Sequence, residues 1–244
     1  MSSRLRVWDW IGVTAVGCAT TPAPATPRAV SWDPSLSAFA PLAPNPSSDQ
    51  AVLERQLAAT WEDVLELRHK DERAEVTSCR TLLTLGDAYE PVRAAEFPIY
   101  RDRRVECRAI QMVVDARPSR FSTWDAFTLD SHAPERLPAA FSLAVSPDDE
   151  QRVAEFAARH EAWSKVEPVE FVASTAPNTA KYRAGPAEQV ITLLARGDFN
   201  GDGVEDLLLM SHAHLTEGTY TRTRSFLITL HQPSQPVADL ISVQ

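Results

Sequence analysis

The 244-residue chain carries 24 basic and 33 acidic side chains, a formal charge of -9, with no cluster of basic and aromatic residues to override it. That balance argues against a nucleic-acid partner. The hydrophobic share of 44% is ordinary for a globular protein, and no run beyond the amino terminus approaches the eighteen or so apolar residues of a membrane-crossing helix, so the length leaves room for one domain with a real core.

Residues 1–18 open with Arg4 and Arg6, pass through the apolar Ile11-Gly12-Val13-Thr14-Ala15-Val16 and reach Gly17-Cys18. This resembles a bacterial lipoprotein signal peptide, and Ala15-Val16-Gly17-Cys18 resembles a lipobox, in which cleavage precedes a cysteine that carries lipid. The segment departs from that pattern at Asp9, inside a short hydrophobic region, and at Ala15, where Leu is more usual. The resemblance implies a lipid on Cys18 as the sole attachment to a membrane. Ala19 after the cysteine implies an outer-membrane lipoprotein facing the periplasm or the exterior. The other reading is a disordered leader on a cytoplasmic protein. Residues 19–47 are rich in Pro, Ser, Thr and Ala, including Pro22, Pro24, Pro27, Pro34, Pro41, Pro44 and Pro46. Such a segment cannot pack a core and is predicted to be a disordered, extended tether.

Residues 48–244 are expected to form a single α+β domain. Ser47 or Ser48 is placed to cap a helix over about 49–70, with Leu53, Leu57, Trp61, Val64 and Leu65 as its apolar stripe. Cys79 and Cys107 remain as an even pair once Cys18 is assigned to lipid, and an oxidising compartment would join them in a disulfide. In a reducing one they are two buried thiols. Residues 105–114 are the best strand candidate of the next stretch, with Pro91 and Pro98 setting breaks before it, and 141–145 reads as another strand.

A second helix starts after Ser146 as cap. Pro147 takes the first turn, Asp148, Asp149 and Glu150 face the positive end of the dipole, and Val153, Phe156, Ala157, His160 and Trp163 share a side. Strands follow over 169–173, 190–195, 204–215 and 219–231, with Glu217-Gly218 turning the last pair. The fold class is therefore α+β, an antiparallel sheet packed by two main helices.

Between two of these strands lies Asp198-Phe199-Asn200-Gly201-Asp202-Gly203-Val204-Glu205-Asp206. Asp198, Asn200 and Asp202 stand at positions 1, 3 and 5, Gly203 permits a sharp turn at 6, the carbonyl of Val204 sits at 7 and Asp206 at 9. A hard dication such as Ca²⁺ takes six to eight oxygens, and this spacing supplies several. Position 12 is Leu209, where an EF-hand carries a bidentate Glu. With strands as flanks, the loop resembles the calcium element of FG-GAP/VCBS-type repeats in secreted and surface proteins. The resemblance covers about sixteen residues, occurs once, and implies a structural Ca²⁺ of weak affinity, roughly 10⁻⁴ to 10⁻³ M. The same Asn-Gly and Asp-Gly steps also make a metal-free turn.

Catalytic patterns are thin. His160-Glu161 begins like H-E-x-x-H, but Ser164 stands where the second histidine belongs. His212 and His214 share a strand face and could reach a metal or act with Asp202 or Asp206. Asp148, Asp149, Glu155 and Glu161 are more simply solvated carboxylates on a helix. The sequence points to a non-enzymatic, calcium-stabilised envelope lipoprotein that binds an unknown protein or glycan partner. The competing class is a secreted hydrolase with a structural calcium loop, which a deep pocket lined by His132, His160 or His212 would mark.

Overall fold

The structure is a computed structural model that describes residues 26–33, 50–124 and 127–243. The leader, Cys18, the two candidate capping serines and most of the expected tether lie outside the described residues. The class is α+β, as anticipated.

The main sheet is antiparallel and runs β10-β9-β8-β7-β6-β5, where β5 is Val169–Ala176, β6 Thr179–Ala184, β7 Ala187–Gly197, β8 Asp206–Leu215, β9 Thr221–Thr229 and β10 Asp239–Val243. Strand residues alternate between faces, so the sequence loads each face separately. Tyr182, Ile191, Leu207, Leu209, Phe226 and Ile228 point to one side and are buried beneath Trp124, Phe141 and Trp163, which come from the connection that crosses that face. Phe141 stacks on Phe226 with centroids 3.9 Å apart. On the other side Leu208 and Leu227, with Leu194 and Ala195 at a bulge in β7, meet a helical layer. Each such fully buried side chain contributes roughly 1.5–3 kcal/mol of hydrophobic stabilisation.

That layer comprises α1 (Gln50–Ala58), α2 (Cys79–Leu85) and α3 (Phe97–Asp115), beside a small sheet of β2 (Leu65–His69), β3 (Glu72–Val76) and β4 (Glu90–Pro91). Gln50 ties α1 to the carboxyl end of α3, donating from Nε2 to the Val113 carbonyl at 2.8 Å and the Ala116 carbonyl at 3.2 Å. Cys79 and Cys107 form a disulfide between α2 and α3, with Cα atoms 5.2 Å apart.

Three expected elements differ. The helix predicted over 49–70 stops at Ala58, and Leu65 and Leu67 belong to β2, whose two-residue turn to β3 places Lys70 at φ 54°. Leu53, Leu57, Trp61 and Leu65 are all buried, but only the first two on a helix; Val64 is exposed. The strand predicted over 105–114 is the interior of α3, whose buried Val105, Ala109, Ile110 and Val113 recur at helical spacing. Pro98 opens this helix instead of breaking the chain before a strand, because an amide in the first turn has no helical acceptor. Residues 141–145 form no strand: Ala139–Phe141 is a 3₁₀ turn that delivers Phe141 to the core.

The helix after Ser146 is present as α5, Pro147–Ala158 (with α4 at Ala133–Arg136 preceding it), and Ser146 Oγ accepts the Asp149 amide at 3.2 Å. Its expected apolar side ends early. His160 lies beyond it at φ 54°, and Trp163 is buried from a separate short helix, α6 (Trp163–Val166). Within the interval expected to be tether, β1 (Ser31–Trp32) pairs antiparallel with Arg196 and Ala195 of β7, and Arg28 exchanges backbone bonds with Ser119. The domain therefore takes up 28–33 as well.

Candidate functional site

The 198–206 loop joins β7 to β8, and its own amides turn inward onto its carboxylates. Asp198 accepts the Gly201 amide on Oδ1 at 2.6 Å and the Gly203 amide on Oδ2 at 2.9 Å. Asn200 Oδ1 accepts the Asp202 amide at 2.9 Å and its Nδ2 donates to Asp202 Oδ2 at 3.0 Å, while Asp202 Oδ1 accepts the Val204 amide at 2.7 Å. Gly201 and Gly203, at φ 85° and 86°, allow this path where a Cβ would be strained.

A strap from the 117–122 segment closes over the loop. Arg117 and Asp198 exchange backbone bonds at 2.9 Å, Gly203's carbonyl accepts the Arg120 amide at 2.7 Å, and the Glu205 amide donates to the Phe121 carbonyl at 2.8 Å. The Glu205 carboxylate is buried, accepting from Ser122 Oγ at 2.6 Å with Arg196 at 3.7 Å. The Arg117 guanidinium and the Arg120 stem lie against the turn. The guanidinium of Arg117 thus lies beside the turn and that of Arg196 beside Glu205.

Asp206 closes the set differently. Its side chain is fully buried at the start of β8, opposite Thr229. Oδ2 accepts the Phe199 amide at 3.0 Å, while Oδ1 makes no hydrogen bond of good geometry; the Thr229 hydroxyl, which also makes none, faces the carboxyl closely enough to act on it. Burial pushes this carboxyl up to about 6; the Thr229 hydroxyl and Phe199 amide nearby pull it down, and the charges of Asp202 and Asp198 raise it further.

The donor set is right for a hard cation, since each carboxylate oxygen bonded to one amide keeps a second lone pair and Asp206 Oδ1 keeps both. The placement is not yet that of an ion site. Among the described residues no three histidine, cysteine, aspartate or glutamate side chains stand where they could share a metal ion.

The remaining candidates are dispersed. His212 and His214 do share a face, but Nδ1 of His212 pairs with Thr223 Oγ1 at 2.9 Å and His214 lies 3.5 Å from Glu188. Asp206, six strand residues from His212, is about 20 Å away along β8. His160 and His231 flank Asp239 at 3.6 and 4.0 Å on the exposed surface, and His132 lies 3.7 Å from Glu135. Asp149 is bonded by Ser146 and Arg152, and the Ser146 hydroxyl is the main cause holding its carboxyl below the ordinary value. A groove of about 810 Å³ between α3 and the start of β9 is lined by none of the histidines.

Sequence reasoning passed over Glu205, buried within the loop, and Arg224, buried on β9 with its guanidinium donating to the Ala140 and Phe141 carbonyls at 2.9 and 3.0 Å. The Ser122 bond to Glu205 and the carbonyls that hold Arg224 come from segments about eighty residues away, which leaves little local signal. Comparison of the chain with family models, curated proteins and solved structures returned no match.

Proposed function

We propose that the chain is a non-enzymatic binding domain of the bacterial envelope, carried on a lipid at Cys18 and stabilised by a structural Ca²⁺ at the 198–206 loop. The observation that carries the calcium reading is the buried, unpartnered Oδ1 of Asp206 at the foot of a loop bearing Asp198 and Asp202. A buried acceptor without a well-formed hydrogen bond is costly, and a cation relieves that cost together with the mutual repulsion of the three carboxylates. Asp198, Asn200, Asp202 and Asp206 and the Val204 carbonyl would hold the ion, whose contribution is to lock the β7-β8 connection. The Cys79–Cys107 disulfide supports maturation in an oxidising compartment, and the arginine-lined groove supports a partner-binding role.

The test is thermal unfolding of residues 26–244 in EDTA and in about 10 mM calcium. With a Kd of roughly 0.1–1 mM, linkage gives about 1.4–2.7 kcal/mol of stabilisation, which Asp202→Ala should abolish. Equal Tm values in the two buffers would remove calcium from the reading. Palmitate labelling of wild type but not of Cys18→Ser tests the anchor independently, and an unlabelled wild type refutes it.

A further inference from the structure

Arg224 is a buried cation with no anion beside it. Only 7% exposed, it sits on the face of β9 that also carries Arg222 and Phe226. Among the described residues no carboxylate forms an ion pair with it. Its surroundings are neutral: Nη1 donates to the Ala140 carbonyl at 2.9 Å, Nη2 donates to the Phe141 carbonyl at 3.0 Å, and Cζ lies 4.8 Å from the centre of the Phe226 ring. The Nε–H makes no hydrogen bond of good geometry. Burial pushes this guanidinium down to about 10, and the charge of Arg222 pushes the same way, opposed by Tyr220. Water satisfies the N–H groups of such a cation but does not neutralise it.

The strand register places a second unserved donor close by. Arg224 stands opposite Ser211 of β8, and Ser211 Oγ donates to Gln189 Oε1 at 2.9 Å. Gln189 is fully buried, and its Nε2 makes no hydrogen bond of good geometry. One row further along, Arg222, Ala213 and Gln189 lie side by side on three adjacent strands. The Ala213 methyl therefore sits among Arg222, Arg224, Ser211 and Gln189 on one face, with Leu143 and Ala187 packed beside it.

We propose that Arg224 and Gln189 form a binding site for a carboxylate, which accepts from Arg224 Nε and from Gln189 Nε2, with Arg222 at its mouth. A carboxylate brings one charge for the one buried cation and two oxygens for the two unserved donors; phosphate brings four oxygens, more than these donors serve. The carbon end of the ligand faces Leu143, Ala187 and Ala213. Arg222 is exposed and Tyr220 is 39% exposed, so the approach lies along this face of the sheet, past those two side chains, and does not use the strand edge. Thr229, opposite Asp206, is about 17 Å away along β9. The inference goes beyond the calcium and lipid reading and depends on neither.

The experiment titrates sodium butyrate, glutamate blocked at both backbone ends, inorganic phosphate and chloride into the isotope-labelled full chain at constant ionic strength. The Arg224 Nε–H and Gln189 side-chain amide resonances are followed. Either carboxylate should move both resonances saturably in the millimolar range and raise Tm in the wild type but not in Arg224→Met, which keeps an apolar stem without the charge. Arg222→Gln, an exposed change that leaves Tm in chloride unaltered, should weaken binding about fivefold. Tighter binding of butyrate upholds the proposal with a free organic acid as ligand; tighter binding of blocked glutamate upholds it with an acidic side chain of a partner protein. Resonances that stay still, that move as far with chloride, or that saturate at lower phosphate than carboxylate overturn it. So does undiminished affinity in Arg222→Gln, an arm that decides the matter even where Arg224→Met does not fold.

Discussion

Replacing Cys79 and Cys107 by Ala together tests what holds α2 in place. The bridge spans a sequence separation of 28, and closing a loop of about that length removes unfolded-chain entropy worth about 3–4 kcal/mol. α2 has seven residues, too few to persist alone, and its other anchors are the Ser78 cap and the burial of Leu82. Both cysteines are buried, so the double Ala variant loses a further contribution of about 1 kcal/mol from the small voids left by the sulfurs. For a domain of this size, 1 kcal/mol corresponds to about 2–4 °C, which places the variant roughly 8–20 °C below the oxidised wild type. Calorimetry of oxidised wild type, wild type in reductant, and the double variant measures this directly. Reduced wild type should fall near the variant. If all three melt within about 2 °C of one another, the loop-entropy reasoning is wrong and the α2-α3 contact is held by packing alone.

Glu106 supplies a pH dependence. Burial on α3, aided by Asp102 and opposed by Arg103, pushes its carboxyl from 4.5 up to about 7. A pKa raised by folding contributes stability that is fully present below about 4.5 and lost as pH rises through about 7, at most about 3 kcal/mol. Glu106→Gln should flatten the urea midpoint between pH 5 and 8 and raise it at pH 8; an unchanged slope refutes the assignment. Ser146→Ala removes the acceptor for the Asp149 amide and should cost about 1 kcal/mol. Because α5 has no fully buried residue, faster amide exchange confined to its first turn is the expected readout, and exchange unchanged there counts against the cap. Gly203→Ala forces a side chain into φ 86° and to within 3.3 Å of Arg120, for a predicted loss of about 1–2 kcal/mol in chemical unfolding. Wild-type stability in that variant would mean that the strap gives way freely.

What the chain displays locally and what it conceals can be separated residue by residue. Strands β7, β8 and β9 were legible because Ile191, Leu207, Leu209, Phe226 and Ile228 load one face against turn residues at each end, and the start of α5 because Ser146-Pro147-Asp148-Asp149 names its own cap. α3 was misread: Val105, Ile110, Val113 and Val114 carry strand propensity, and only the packing of Ala109 and Cys107 against α1 and α2 decides for a helix. β6 was overlooked because Ala180, Tyr182 and Ala184 bury a face too small and too polar to announce itself. In the loop, the acidic residues and their spacing were plain. The covering strap and the isolation of Asp206 Oδ1 were not, since both depend on Arg117–Phe121 and Thr229 arriving from other parts of the chain.

The short pairing of Ser31–Trp32 with Ala195–Arg196, reinforced by Arg28 on Ser119, sets how the domain answers a mechanical load. A pull applied ahead of residue 26 reaches the body first through these few bonds, which lie beside the β7-β8 connection. A proteolytic nick between residues 33 and 50 would leave the leading fragment gripping the sheet, among the described residues, by that clasp, by the bonds of Asp33 to Leu194 and Asn178, and by the packing of Val30 and Trp32. Force on that fragment is therefore carried into β7 and its neighbours at several points along 28–33.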